Sequence, residues 1–158
     1  MDFKPIGVVH SPFKEAVGTP IQPKAGKGIK GTVEILPEFV NGLADLDGFS
    51  HIILVSHFHL AKDYKLKVIP FMDDVKRGVF ATRAPSRPNS IGLSVVKLNS
   101  IANDILHVEN IDIIDGTPLL DIKPYIPEFD SETEIRKGWL ENNINKLSTA
   151  KDDGRLKK

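Results

Sequence analysis

The chain has no cysteine at all. That excludes disulfides, thiolate metal sites and cysteine nucleophiles together. It also lacks any apolar run of membrane-spanning length. Its first residues, Met1-Asp2-Phe3-Lys4-Pro5, do not read as a secretory leader. A cytoplasmic protein without membrane contact is therefore the expectation. No Gly-x-Gly-x-x-Gly follows a strand, no Walker loop occurs, and no Gly-x-Ser-x-Gly elbow is present. These absences argue against Rossmann dinucleotide binding, P-loop phosphoryl transfer and α/β-hydrolase chemistry. Acid is missing from one long stretch, Lys76 to Lys97, which contains no Asp or Glu.

What is present is an ordinary globular composition in 158 residues, enough for one domain with a core of its own. The formal net charge is zero, but the charge is segregated. Against the purely basic Lys76–Lys97 segment stands Ser100–Ile135, with nine acids and one base, Lys123. One strip can meet an anion while another repels it, or the two simply neighbour each other in the fold.

The basic strip centres on Arg77-Gly78-Val79-Phe80-Ala81-Thr82-Arg83-Ala84-Pro85-Ser86-Arg87-Pro88-Asn89-Ser90-Ile91-Gly92-Leu93-Ser94. Pro85 and Pro88 fix φ and remove backbone donors, so no helix or central strand runs through them. A strand Val79–Thr82, a stiff loop Arg83–Ser90 and a strand Ile91–Leu98 are expected. Gly78 and Gly92 bracket the loop, where glycine permits close backbone approach or unusual dihedrals. Such a loop presents guanidinium groups from a rigid frame, which suits a carboxylate-bearing or otherwise anionic ligand.

Elsewhere the pattern is of short strands. Pro5–His10, Thr32–Leu36, His51–Leu60, Ile105–Ile114 and Leu119–Tyr125 read as strands, with helical turns over Pro37–Leu46. Odd positions of the His51–Leu60 run place His51, His57 and His59 on one face. Three ligands along one strand span too far for one ion, and no acid lies nearby in sequence, so no metal is expected. The long irregular stretch Glu15–Lys30 contains Gln22, whose amide either reads a ligand edge or sits in solvent. Asp115-Gly116-Thr117-Pro118 is a turn signal. Ser131 and Glu134 form a capping box for a helix running from Asp130, with Ile135, Trp139, Leu140, Ile144 and Leu147 on its apolar face. Ala150–Lys158 reads as a frayed tail. The tally points to a mostly β fold: a single small antiparallel β-barrel with short helical elements and a C-terminal α-helix, covering 1–148, and a flexible tail over 149–158.

The Arg/Pro loop, together with Gly7–Lys14, Gly48–Ile52 and Asp115–Tyr125, resembles the TsaA-like family over roughly residues 5–126. The chain matches the short form, without the C-terminal domain of longer bacterial members. Ser90 stands where the family pattern has a second proline, which frees Asn89 from the pre-proline restriction. The resemblance implies an S-adenosyl-L-methionine-dependent tRNA methyltransferase acting on N6 of threonylcarbamoyladenosine next to the anticodon. It also implies a homodimer with the site near the subunit interface. The cofactor pocket it implies draws on Pro20, Ile21, Gln22, His59, Leu60, Arg83, Leu93 and Asp112. Arg83 would pair with the methionine carboxylate, and Gln22 or the backbone near Asp112 would read adenine.

Arg87 and Asn89 then face the substrate, where Arg87 has the threonyl carboxylate as a second possible task. Asp115 or His59 would take the N6 proton, although turn formation alone also explains Asp115. Lys24, Lys27 and Lys30 would meet the RNA backbone. Two rivals stay open: a non-catalytic module that binds the cofactor or another nucleotide, and a methyltransferase acting on a small metabolite.

Overall fold

A computed structural model describes residues 1–157. Six strands close a barrel in the order β1-β2-β7-β6-β3-β8, every adjacent pair antiparallel. They are β1 (Gly7–His10), β2 (Lys30–Ile35), β3 (His51–His57), β6 (Ile91–Ala102), β7 (Ile105–Glu109) and β8 (Thr117–Pro124). Closure removes the open sheet edges that an antiparallel sheet would otherwise expose.

Alternation explains the strands. In β3, Ile52, Leu54 and Ser56 are fully buried while His51, Ile53, Val55 and His57 face outward. In β6, Gly92, Ser94, Val96 and Leu98 point in, and Ile91, Leu93, Val95 and Lys97 point out. Val9, Val33, Leu106 and Leu119 meet them inside the barrel, all at zero exposure. Each such burial contributes about 1.5–3 kcal/mol. Register shifts at Val55/Ser56 and at Leu98/Ser100 bend the strands where the barrel must curve.

A two-stranded ribbon, β4 (Lys67–Val68) with β5 (Arg77–Gly78), carries the chain from β3 to the Arg/Pro loop. Beneath it lies a second small core of Val68, Val79, Ala84 and Leu156, with Phe71 packed against it.

Several expectations change. Val79–Ala81 is a 3-10 turn and not a strand, because Thr82 Oγ1 and the Thr82 N–H both donate to the Val79 carbonyl. Strand β3 ends at His57, where the His59 N–H turns back to the His57 carbonyl at 2.7 Å. Strand β7 ends at Glu109, followed by Asn110 at φ 67. The C-terminal helix is a single turn, α1 (Pro127–Asp130), with Ser131 as its C-cap and not an N-cap.

Beyond α1, 3-10 turns at Gly138–Leu140 and Ile144–Lys146 replace the expected amphipathic helix. Gly138 sits at φ +57, which breaks any helix through it. The 150–156 segment is not frayed. Thr19 and Asp152 are joined by a backbone hydrogen bond, Arg155 donates to the Pro70 and Asp73 carbonyls, and Leu156 is buried. Lys158, the end of the expected tail, lies outside the described residues. No helix among the described residues is long and apolar enough to cross a membrane.

Candidate functional site

The Arg83–Ser90 loop is held by its own polar groups. Arg87 Nη1 donates to the Thr82 and Ala84 carbonyls at 3.1 and 3.4 Å. Ser90 Oγ donates to the Arg87 carbonyl at 3.2 Å, and the Ser90 carbonyl accepts the Phe58 N–H at 2.8 Å. Ser90 thus restrains the loop through hydrogen bonds where a proline would restrain it through its ring. Two outside groups brace the frame: Trp139 Nε1 donates to the Ala81 carbonyl, and Ser86 Oγ to that of Leu156. At the loop's exit, a Cβ on Gly92 would lie 2.7 Å from Phe58 Cε1 and 2.9 Å from Ser56 Oγ. A side chain there would have to push the Phe58 ring and Ser56 Oγ aside. Gly78 has open space around it, so the close approach expected at both glycines occurs only at Gly92.

Arg83 is exposed, and its Nη1 donates to Gln22 Oε1 at 2.9 Å across 61 residues of sequence. The loop carrying Gln22 leads into the 3-10 turn Pro23–Gly26 and lies against the 110–112 segment. A Cβ on Gly26 would approach the Ile111 carbonyl to 2.7 Å, and the Gly28 N–H donates to Asn110 Oδ1 at 2.9 Å. This contact brings Asp112 to the same place. Burial raises its carboxyl to about 6. Opposing this, Ser94 Oγ donates to Asp112 Oδ1 at 2.7 Å, and the Arg83 charge acts in the same direction. Gln22, Arg83, Asp112 and Ser94 therefore form one cluster at the end of the barrel. Ser94 is the member the sequence reading missed. Its signal was a hydroxyl at an inward position of an alternating strand, where a polar group needs a partner.

Asp115 lies elsewhere. Lys14 Nζ sits 2.6 Å from Asp115 Oδ2, the Ser11 N–H donates to Oδ1 at 3.1 Å, and His10 Nδ1 is 3.4 Å away. The Lys14 contact is the main cause holding this carboxyl below its ordinary value. A carboxylate so engaged is a weak proton acceptor, and it clasps the Ser11–Lys14 turn to the start of β8. With His10, Lys14, Lys30 and His107 it lines an open cleft of about 650 Å³. Lys24 and Lys27 are exposed in and after the Pro23–Gly26 turn, so Lys30 alone of the three expected RNA contacts reaches the cleft.

The other expected residues spread around the loop. Pro20 is buried and bridges to Lys151, and Ile21 is half-buried beside it. Leu93 is 62% exposed on the outer face of β6. Arg87 and Asn89 line a separate cavity of about 510 Å³ with His57 and Tyr64. Leu60 is exposed, and His59 Nδ1 is buried without a hydrogen-bond partner. Among the described residues, no hydrogen bond or ion pair joins His59 to Arg83, Gln22 or Asp112.

Residues 8–131 match the model of the tRNA-methyltransferase O N-terminal domain. The chain belongs to that family. A relative from Pyrococcus abyssi, described as a probable S-adenosyl-L-methionine-binding protein, is 59% identical over 98% of this chain and 84% of its own length. The mouse tRNA (adenine(37)-N6)-methyltransferase is 38% identical over 96% of this chain but only 36% of its own. The crystal structure of TrmO from Pseudomonas aeruginosa superposes with a TM-score of 0.74 at 41% identity, covering 87% of this chain and 61% of that one. The chain thus spans less than two thirds of that solved protein.

The cluster's chemistry suits the cofactor of such relatives. A guanidinium with unused N–H groups, an amide and a largely desolvated carboxylate offer partners for a carboxylate, an adenine edge and a cation respectively. The orphaned His59 Nδ1 is a further polar atom in need of a partner.

Proposed function

We propose that this chain is an S-adenosylmethionine-dependent methyltransferase acting on N6 of threonylcarbamoyladenosine in tRNA, next to the anticodon. The observation that carries the reading is the convergence of Gln22, Arg83 and Asp112, from three separate stretches of sequence, on one end of the barrel. Bound S-adenosylmethionine supplies a methyl group activated by its sulfonium. Arg83 pairs with the amino-acid carboxylate, and Gln22, held against the guanidinium, reads the adenine edge. Pro20, Ile21, His59 and Leu60 complete the pocket.

The base is Asp112 in preference to Asp115. Its carboxyl titrates at about 6, so it is mostly ionised at neutral pH and still a competent acceptor. It takes the N6 proton as the N–C bond forms and the C–S bond breaks, leaving S-adenosylhomocysteine. Ser94 holds the carboxylate in place through that step. Lys24, Lys27 and Lys30 meet the RNA backbone.

The homodimer reading rests on the outer face of β6 and β3. Ile91, Leu93 and Val95 are exposed there in a row, alongside half-buried Ile53 and Val55. Leu93 belongs both to this apolar face and to the expected cofactor pocket, which supports a pocket beside the subunit interface. The description of the Pyrococcus relative favours a second reading, cofactor binding without catalysis.

Calorimetric titration with S-adenosylmethionine tests the pocket. The native chain should bind about one equivalent. Arg83→Ala should weaken binding by about thirtyfold or more, since truncating a charged pair in a partly desolvated site costs ~2–5 kcal/mol. Equal affinity in the two proteins would remove Arg83 from the pocket.

A further inference from the structure

The hydrogen bond from Arg83 to Gln22 joins two arms of the cluster, yet Arg83 is exposed and Gln22 only half-buried. Water competes for both groups, so this one bond does not fix the spacing of two loops. The arms are tied together by the segment that follows Gly138.

On the Gln22 side, Lys151 forms an antiparallel bridge with Pro20. The Gly18 N–H donates to the Asp152 carbonyl at 2.7 Å, and the Asp152 N–H donates to the Thr19 carbonyl at 3.0 Å. These bonds secure the backbone just ahead of Gln22. On the Arg83 side, Leu156 is buried with Val68, Val79 and Ala84, and its carbonyl accepts from Ser86 Oγ at 3.0 Å. Arg155 Nη1 donates to the Pro70 and Asp73 carbonyls, both at 3.1 Å, while its Nη2 pairs with Asp153 at 2.6 Å. Trp139 Nε1 donates to the Ala81 carbonyl at 2.8 Å, and the Arg77 guanidinium lies over the Trp139 ring at 5.8 Å.

Arg83 is therefore clasped on both sides, through Ala81 before it and Ser86 after it. From the Asp152 contacts to Leu156 the chain spans at most about 14 Å. A short connection pinned at both ends fixes a distance. All of it lies beyond residue 131, where the match to the family domain ends, so these contacts are additions to the matched stretch.

We propose that the 139–156 segment is a positioning strap for the cofactor site, which sets the spacing of Gln22 and Arg83, with Ser86, Trp139 and Arg155 as its positioning residues. This rests on the cofactor reading above. Loops held in the binding geometry before the ligand arrives leave less ordering for the ligand to offset. The coupling is reciprocal: a strap that favours cofactor binding is itself made firmer by bound cofactor.

Two measurements on the full chain test this. Hydrogen exchange is followed by mass spectrometry with and without saturating S-adenosylmethionine. Exchange of the Gly18 and Asp152 amides should slow by about threefold or more when the cofactor binds, as local opening becomes rarer. Calorimetric titration with S-adenosylmethionine then compares the native chain with the double variant Ser86→Ala, Arg155→Gln. Affinity should fall by about fivefold or more as the binding-competent arrangement becomes less populated. The double variant Ser86→Thr, Arg155→Lys keeps a donor at each position and should recover most of the loss. Ile35→Val, in the barrel core at the far end of β2, should lower the urea midpoint and leave the affinity unchanged.

Unchanged exchange at Gly18 and Asp152 on cofactor binding overturns the proposal. So does native affinity in the Ser86→Ala, Arg155→Gln protein, or an equal loss of affinity in Ile35→Val, which would mark the effect as one of general stability. In each of these cases the native chain still binds the cofactor, so the strap alone fails. A native chain that does not bind S-adenosylmethionine sinks the cofactor reading, and the strap's role falls with it.

Discussion

Asp112→Asn should make the protein more stable at pH 8 while sharply slowing methyl transfer. Burial raises the Asp112 carboxyl from 3.8 to about 6. The native state therefore binds this proton more tightly than the unfolded chain does. The associated stability is fully present below pH 3.8 and is lost as pH rises through about 6. At pH 8 the ionised group holds the native state about 3 kcal/mol below what the protonated form would allow. Asparagine removes the charge and keeps an oxygen to accept from Ser94 Oγ. A gain of about 1–3 kcal/mol at pH 8 is the expectation, shrinking to near zero at pH 4. In a chain of this length 1 kcal/mol moves the melting temperature by about 2–4 °C. Urea unfolding of both proteins at pH 4 and pH 8 measures it directly. Should Asp112→Asn destabilise at pH 8, or should the difference between the proteins not change with pH, the carboxyl is not desolvated in the way argued. The same substitution should cost about a hundredfold or more in methyl transfer, within the usual range for a general base.

Three other outcomes follow from the geometry. Gly92→Ala should destabilise by about 1–3 kcal/mol in chemical denaturation, because the added methyl meets the Phe58 ring and Ser56 Oγ. Asp115→Ala should lower stability near neutral pH and reduce turnover far less than Asp112→Asn. The stability at stake is present above pH 3.8 and is lost as pH falls through the depressed native value, so the two proteins should converge in acid. Changing Lys24, Lys27 and Lys30 together to Glu should weaken tRNA binding and flatten its dependence on salt, by up to about 0.9 in the log–log slope per lost phosphate contact. An unchanged slope would place those lysines outside the RNA interface.

Much of the barrel was legible because alternation is a local signal. Ile52, Leu54 and Ser56 against His51, Ile53, Val55 and His57 already divide β3 into two faces, and burial follows that division. Pro85 and Pro88 likewise announced the loop. The segment after Asp130 was not legible. Its capping box and apolar spacing suit a helix, but the left-handed Gly138 interrupts it, and Trp139 is claimed by the Ala81 carbonyl of the Arg/Pro loop. Those are tertiary demands that a local pattern does not carry. The two acids of Asp112-Ile113-Ile114-Asp115 show the same limit. Three residues apart, one is desolvated against Ser94 and the other is clasped by Lys14, and only closure of the barrel end separates them. From sequence alone Asp115 or His59 is the expected proton acceptor, and the proposal gives that role to Asp112 on the strength of its raised carboxyl.

The most direct test is to incubate the purified chain with S-adenosylmethionine and tRNA carrying threonylcarbamoyladenosine, and to analyse the nucleosides by mass spectrometry. The account predicts a gain of one methyl group on that nucleoside, absent from tRNA lacking the modification and lost in Asp112→Asn. Tight binding of S-adenosylmethionine with no methyl gain on either tRNA would contradict it and would favour the cofactor-binding module instead.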